Sequence, residues 1–420
     1  MEGDFSLNAL FSRPGVTRVL LQQGRVLLPS DWNEQVAVST NRLRELARDL
    51  IGPHAGPSGN AGFKITFHAA NNQFRIGKGR YWVEGFLVEN DRERPVTEQP
   101  YYHAGDLKLD GSVLFYLDVR EQHVSAVQDP SIREIALGGP DTATRAVVVW
   151  QVRALELGSA PKPEEAWQQL QARLARKKVP LLVAEAKRDR DDEACIISPD
   201  SRYTGPENQL YRVEIHSAAT AQGAPPKFKW SRDNGSISFA ASKIEGLTAT
   251  LLSLGRDRRT SLAVGDFVEA GNDVTRFNDE VRPLVVVKKI DPSTLDVTLA
   301  ADPGLVTDPK DKRHPFLRRW DSPLIDVPKN GVPVPLEKGI EVTFTQNDAD
   351  YRPGDYWLIP ARTVSGDVIW PPDENGKPKA VEPHGPARAY APLAHRNTAT
   401  GVLTELRFEL NPQTHLKTAT

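Results

Sequence analysis

Residues 209–239, QLYRVEIHSAATAQGAPPKFKWSRDNGSISF, decide the fold class of this chain. Gln209 to His216 alternates in the way expected of a strand with one buried face. A second strand-like run, Lys227 to Trp230, leads into Asp233-Asn234-Gly235, and Ser236 to Phe239 leads out. Because Asn and Gly tolerate the positive φ angles of a type I′ turn, the segment predicts a tight hairpin turn.

Similar short runs recur along the whole chain. Among 420 residues, 33 prolines and 30 glycines interrupt them, which is typical of a protein with many turns and few long helices. The sequence therefore predicts a β-dominated fold of several small β-sandwich or barrel-like modules. An N-terminal helix and one further helix complete the prediction.

Two amphipathic stretches predict these helices. The first covers roughly residues 31 to 51, where Asp31 and Glu34 have the spacing of a capping box. The second opens at Pro161 and Pro163. Apolar residues near helical spacing mark both stretches: Trp32, Val36, Leu43, Leu46, Ala47 and Leu50 in the first, and Ala166, Trp167, Leu170 and Leu174 on one face of the second.

The positions of these runs predict five regions. They are an N-terminal arm and helix for attachment (1–53), a β domain (54–157), a helix-containing connector (158–200), a β barrel or sandwich (201–305) and a Pro-rich irregular β region (306–420). Because the arm has little to pack against, we expect residues 1–52 to be removable without unfolding the β modules.

Charge and cysteine content limit the partners and the compartment. The net charge is −2, which gives no global reason to expect nucleic acid or an anionic membrane as a partner. The single cysteine, Cys195, cannot form an internal disulfide. No signal peptide and no membrane span is recognisable, so we expect cytoplasmic assembly, with any later release by lysis.

Motifs that would mark an active site are missing from the sequence. Neither closely spaced histidines, GxSxG nor GxxxxGK[ST] occurs, so we predict no catalytic residue, no metal requirement and no cofactor. Lys187, Arg188 and Arg190 lie among the acidic residues of 189–193, which favours a solvated turn over a calcium loop. Carboxylates for glycoside cleavage could be chosen from four strand-like segments, but sequence gives no separation between them: Glu84, Asp118, Glu214 and Glu269.

Two sets of residues are candidates for binding. Gln22, Gln23, Arg25 and Trp32, in the arm and the first helical turn, are the candidate contacts to a protein partner. Four tryptophans in or beside strands could stack on sugars if exposed, although packing in a core or interface is the simpler interpretation: Trp82, Trp230, Trp357 and Trp370.

Ten segments together carry a family resemblance. They are 4–6, 20–35, 79–85, 116–119, 129–145, 149–152, 207–216, 228–235, 354–362 and 390–394, and they include LLQQGRVLLPSDWNEQ, GRYWVEG, DPSIREIALGGPDTATR and GDYWLIPAR. In these segments the chain resembles a family of uncharacterised bacterial domains associated with phage tails and extracellular contractile injection systems. The family's aspartate-alanine pair before Asp-Trp-Asn-Glu is replaced here by Pro29-Ser30.

The resemblance implies a context and transfers no catalytic residue. It implies a structural or attachment component near a baseplate, fibre or tail end, contacting baseplate, tube, sheath or fibre proteins and forming a homo-oligomer set by the particle's symmetry. Two other hypotheses are a glycan- or receptor-binding module of such a particle and an enzyme acting on surface polysaccharide.

Overall fold

The computed structural model describes residues 1–7, 15–102, 112–157, 161–187, 202–307, 312–397 and 399–410. Three α-helices lie in these ranges: α1 (Pro29–Ile51), α2 (Pro163–Leu174) and α3 (Asp273–Phe277). The first two confirm the predicted helices. The predicted capping box is wrong in detail, because Leu28 is the N-cap and the Asp31 carboxylate accepts a hydrogen bond from the Leu28 N–H at 3.1 Å.

Strands outnumber helices, and the predicted β-dominated fold class is confirmed. In chain order the strands are β1 (His54–Pro57), β2 (Ile65–His68), β3 (Gln73–Ile76), β4 (Gly79–Val83), β5 (Phe86–Asn90), β6 (Arg94–Pro95), β7 (Ser112–Val124), β8 (Arg145–Leu157), β9 (Leu182–Ala186), β10 (Gln209–Ser217), β11 (Lys227–Ser231), β12 (Ser238–Glu245), β13 (Thr248–Leu251), β14 (Phe267–Gly271), β15 (Leu284–Asp291), β16 (Asp296–Leu299), β17 (Phe316–Trp320), β18 (Ile325–Asp326), β19 (Val334–Pro335), β20 (Ile340–Phe344), β21 (Tyr356–Arg362), β22 (Asp367–Val368), β23 (Arg388–Arg396), β24 (Leu403–Glu405) and β25 (Glu409–Leu410).

The first core lies between three sheets, with strand orders β24-β23-β7-β8, β25-β1-β4-β5 and β2-β3-β6. Tyr81 and Phe115 are fully buried there because alternate strand residues point to the same side, and Phe63, just before β2, is buried with them. Helix α2 covers the outer face of β7 and β8, where Leu170 packs with Leu114.

The second core is enclosed by a closed barrel of six strands, in the order β12-β13-β16-β15-β14-β17. Strand β17 pairs with both β14 and β12, which closes the ring. The third core lies between the sheet β18-β11-β10-β21-β22 and the sheet β19-β20-β9, and Trp357 is fully buried in it.

The predicted regional boundaries do not match the sheets. Residues 306–420 were expected to form a separate irregular region, but their strands complete sheets begun earlier: β23 pairs with β7, β21 with β10, and β17 with β12. The connector strand β9 pairs with β20, and β25 pairs with β1. Hydrogen bonding across hundreds of residues therefore ties the described parts of the chain together.

The predicted hairpin at residues 233–235 is half right. Asn234 has φ 53° and Gly235 φ 65°, and the Ser236 N–H donates to the Asp233 carbonyl at 3.0 Å, as in a type I′ turn. The flanking strands do not pair, however, since β11 joins the sheet of β10 whereas β12 enters the barrel. The turn therefore connects the sheet that contains β10 to the barrel.

Candidate functional site

Helix α1 rests through one side on the three sheets that enclose the first core, which we call the first β unit. Arg44 pairs with Glu121 at 2.7 Å, and its guanidinium lies 4.2 Å from the centre of the Phe86 ring. Arg48 pairs with Glu84 at 3.0 Å. At Gly85, where φ is 80°, a Cβ would lie 2.5 Å from the Arg44 carbonyl oxygen, so only glycine allows the helix to approach this closely.

The other side of α1 presents a continuous exposed stripe, which we call the α1 stripe. Its members follow the 4-3-4-3-4 spacing that lines the seam of a coiled coil, and they are Trp32, Val36, Ser39, Leu43, Leu46 and Leu50. Trp32, Leu43 and Leu50 are 64%, 66% and 68% exposed. At 1.5 Å per residue the stripe is about 27 Å long.

The arm lies beside this helix. The Val19 N–H donates to Gln35 Oε1 at 2.7 Å. The arm was expected to be extended, but it turns at Gly24, where the Arg25 N–H donates to the Gln22 carbonyl at 3.3 Å. Gln22, Gln23 and Arg25 are exposed. Together with the exposed Trp32 in the α1 stripe, the candidate partner contacts are therefore accessible to a partner.

The four candidate glycan-contacting tryptophans fall into two groups. Trp230 and Trp357 are 5% and 0% exposed and belong to the third core, so neither presents a ring face to a sugar. Trp82 and Trp370 are partly exposed. The Trp370 indole N–H donates to the Lys379 carbonyl at 2.7 Å, which leaves its ring at the edge of the third core.

Residues 1–6 do not behave as part of a detachable arm, contrary to expectation. The Glu2 carboxylate accepts hydrogen bonds from Arg318 at 2.7 Å and Arg276 at 2.6 Å. The Asn234 side chain, which is fully buried, donates to the carbonyls of Met1 and Gly3 at 3.1 and 3.0 Å. The segment that begins the chain is thus built into the junction of the barrel and the β10 sheet.

A cavity of about 590 Å³ lies beside this junction, between α1, β7, β10 and the barrel. Eight cationic side chains and six carboxylates line it, an excess of two positive charges. The sequence analysis missed its arginines, Arg212, Arg276 and Arg318. The sequence does show that one face of β10 is polar, through Arg212, Glu214 and His216. This pattern was compatible with solvent exposure, but in the structure the face lines the cavity.

Electrostatic shifts in the cavity follow from burial and from the arginines. The guanidinium groups of Arg318 and Arg276 hold the pKa of Glu2 well below its ordinary value, despite the opposing effect of burial. Burial lowers the pKa of His123 to about 3 and that of His216 to about 4. Glu2 is therefore ionised and both histidines are neutral at pH 7.

The candidate carboxylates for an enzyme are engaged in ion pairs. Glu84 pairs with Arg48, and Asp118 accepts hydrogen bonds from Arg153 and Arg388, both at 2.6 Å. The remaining two contact cations in the cavity wall, Glu214 with Arg212 and Glu269 with Lys229. Such pairing holds a carboxylate in place and leaves it less available as an acid or nucleophile.

The described residues contain neither a metal-ligand cluster nor a membrane-spanning helix. Within them, no set of three or more His, Cys, Asp or Glu side chains is arranged to hold a metal ion. The acidic residues 189–193 and Cys195 lie outside the described ranges. No helix in the described part of the chain has the length and apolar character needed to cross a membrane.

Comparison with known proteins gives a family and no individual relative. No curated protein and no solved structure shows significant similarity to the chain. One family, described as a family of unknown function (DUF6519), matches residues 1–169 and 162–417. Because these two segments together cover residues 1–417, the chain belongs to the family DUF6519.

Proposed function

We propose that this protein is a structural attachment component of a phage-tail-like particle or contractile injection system, associated with its baseplate, fibre or tail end. It is assembled in the cytoplasm and acts through protein–protein contact rather than catalysis. The α1 stripe and the neighbouring arm form the contact. The observation that carries this proposal is the exposure of the α1 stripe.

The size of the exposed surface supports a binding role. Five large apolar side chains of the α1 stripe are 49–68% exposed, and Leu20, Leu21 and Val26 of the arm are 66–84% exposed. Burying one such side chain completely stabilises a complex by about 1.5–3 kcal/mol. At their present exposure, the five stripe residues would contribute roughly 5–9 kcal/mol before the costs of association.

The spacing of the α1 stripe indicates the kind of partner. A seam with 4-3-4-3-4 spacing packs best against a second helix with the same periodicity. We therefore propose a helix of a neighbouring particle component, with copies of this chain repeated by the symmetry of the particle. Ser39, at the middle of the stripe, is the one polar member and leaves room for a larger partner side chain.

The experiment is incorporation into particles. Leu43→Glu/Leu46→Glu keeps good helix formers in α1 but charges the centre of the stripe. Arg42→Glu, an exposed position beside the stripe, is the matched control. Particles purified from cells making each variant should lack the double variant and contain the control, while circular dichroism shows both chains folded. Normal incorporation of a folded double variant would refute the proposal.

Glycan binding is the second candidate, and the partial exposure of Trp82 and Trp370 favours it. A glycan array probed with the purified chain tests this candidate. Binding that is lost in Trp82→Ala or Trp370→Ala would support it. Array binding unaffected by both substitutions, or an empty array, would remove these tryptophans from consideration.

A further inference from the structure

The Glu2 carboxylate lies between Arg276 and Arg318 in a position built like an anion-binding site, which we call the seat. Each carboxylate oxygen accepts one charge-assisted hydrogen bond, Oε1 from Arg318 and Oε2 from Arg276. Arg212 adds a third positive charge and lowers the pKa of Glu2 further. Hydrogen bonds between charged groups are the strongest that side chains make, so the carboxylate is held in a defined position.

Arg212 has partners besides Glu2, and the three arginines come from separate elements of the fold. Arg212 lies 3.7 Å above the centre of the Tyr356 ring and bonds Glu214 at 2.6 Å. Arg276 is in α3 and Arg318 in β17, so three separate elements bring the guanidinium groups together. Because a buried guanidinium without a counter-ion is costly, the seat requires an anion whether or not Glu2 occupies it.

The adjoining cavity has unused hydrogen-bonding groups. Among the described residues, seven buried polar atoms of its lining have no hydrogen-bond partner. Four are guanidinium nitrogens, which donate, one is the Gln122 amide oxygen, which accepts, and two belong to neutral histidine rings: Arg120 Nε, Arg276 Nη1, Arg282 Nε, Arg318 Nε, Gln122 Oε1, His123 Nε2 and His216 Nδ1. Buried polar groups are normally satisfied, so these atoms indicate that the space holds water or a polar ligand.

The cavity also has the size and access of a ligand site. Its volume of about 590 Å³ is within the range of small-molecule pockets. It opens beside the first turns of α1, where Trp32 and Val36 of its lining are 64% and 49% exposed. A small molecule can therefore enter without unfolding the chain.

The charged groups of the lining limit which chemical class of ligand can bind. The seat holds a single carboxylate with one arginine donor to each oxygen, and carboxylates such as Glu214, Glu269 and Asp279 lie in the surrounding wall. They and Gln122 can accept hydrogen bonds from hydroxyl groups. A monoanion with one carboxylate and several hydroxyl groups fits both the seat and the wall.

We propose that this cavity binds a small carboxylate with hydroxyl groups, of the acidic monosaccharide class, and that the Glu2 carboxylate occupies the anion position until the ligand displaces it. The inference does not depend on the attachment role. Glu2 thereby competes with the ligand, and the apparent affinity of the unaltered chain is reduced by the fraction of molecules in which Glu2 is seated.

Calorimetric titration of the full chain with D-glucuronate tests the proposal, with D-glucose as the neutral counterpart and glucose 6-phosphate as the dianion. Glu2→Gln should bind glucuronate at least ten times more tightly than the unaltered chain, whereas Glu45→Gln on exposed α1 should not differ from it. Adding Arg318→Gln to Glu2→Gln should remove binding. Equal affinity for glucose and glucuronate, tighter binding of the phosphate, or no binding to Glu2→Gln would overturn the proposal.

A second measurement does not need a variant to fold. Hydrogen–deuterium exchange of the unaltered chain should show faster exchange in residues 1–6 when glucuronate is added, and no change with glucose. Unchanged exchange of residues 1–6 at saturating glucuronate would mean that Glu2 is a permanent structural counter-ion and the cavity holds water.

Discussion

Asp118→Ala should lower the free energy of unfolding by about 3 kcal/mol, because it breaks a buried ion network that joins the first β unit to the barrel. The Asp118 side chain is 3% exposed, and its Oδ2 accepts from Arg153 and Arg388 at 2.6 Å each. Arg388 also bonds Asp279 at 2.6 Å, next to α3 of the barrel unit.

The size of this loss in stability depends on which hydrogen bonds Arg153 and Arg388 lose and which they keep. Removing one partner of a buried pair costs about 3–5 kcal/mol. After the substitution Arg388 still bonds Asp279 and the Phe277 carbonyl, and Arg153 still bonds Asn278 at 2.7 Å. The loss is therefore near the lower end of that range.

Thermal unfolding followed by calorimetry measures the effect. For a cooperative unit of roughly 200 residues, about 3 kcal/mol corresponds to a Tm lower by roughly 6–12 °C. Asp326→Ala is the matched control, because Asp326 also pairs with a cation, Lys227, at 2.5 Å but is 57% exposed. An exposed pair contributes about 1 kcal/mol or less. Equal Tm shifts for the two variants would refute the claim that burial makes the Asp118 network important.

Three other predictions concern acid, a turn and the interface. Burial lowers the pKa values of His54 and His216 to about 4 and of His123 to about 3. In the unfolded chain the same histidines take up protons near pH 6.5, so acid favours the unfolded state. The free energy of unfolding should therefore fall from pH 6.5 toward pH 4, by up to about 1.4 kcal/mol per pH unit for each histidine. Urea midpoints that are level across this range would contradict this. Gly235→Val should destabilise the chain by about 1–3 kcal/mol in urea titration, because φ is 65° there and the new side chain would approach Arg212; an unchanged midpoint would count against the turn assignment. Trp32→Ala should reduce incorporation into particles, measured by blot, by the equivalent of about 2 kcal/mol or roughly 30-fold in affinity, and unreduced incorporation would show that Trp32 is outside the interface.

Local patterns in the sequence predicted local structure well. The period of apolar residues located α1 and α2, and Asn234-Gly235 gave the correct turn. Both depend on interactions within a few residues, which a single sequence contains.

Long-range pairing could not be predicted in the same way. Nothing in residues 388–396 specifies β7, which lies about 270 residues earlier, as their partner strand. The backbone N–H and C=O groups of a strand can form the same hydrogen bonds with the edge of any other strand. The pairing of strands in residues 306–420 with earlier strands could not be predicted for this reason.

The cavity was missed because alternation in a strand shows that two faces differ but not what covers them. The polar face of β10 was compatible with solvent, whereas residues 1–6 and the barrel enclose it. The exposure of the α1 stripe could not be predicted from the sequence either. Amphipathic spacing predicts that a helix has an apolar face, but not whether other parts of the same chain cover that face.

Site-specific photo-crosslinking tests the attachment role most directly. A photoreactive amino acid replaces Leu46 in the α1 stripe, or Val364, which is 99% exposed and lies outside the stripe, in cells that make particles. Position 46 should crosslink in intact particles to a neighbouring particle component, and position 364 should not. Irradiated particles in which position 46 gives no crosslink to another component, although the chain is present, would contradict the attachment role.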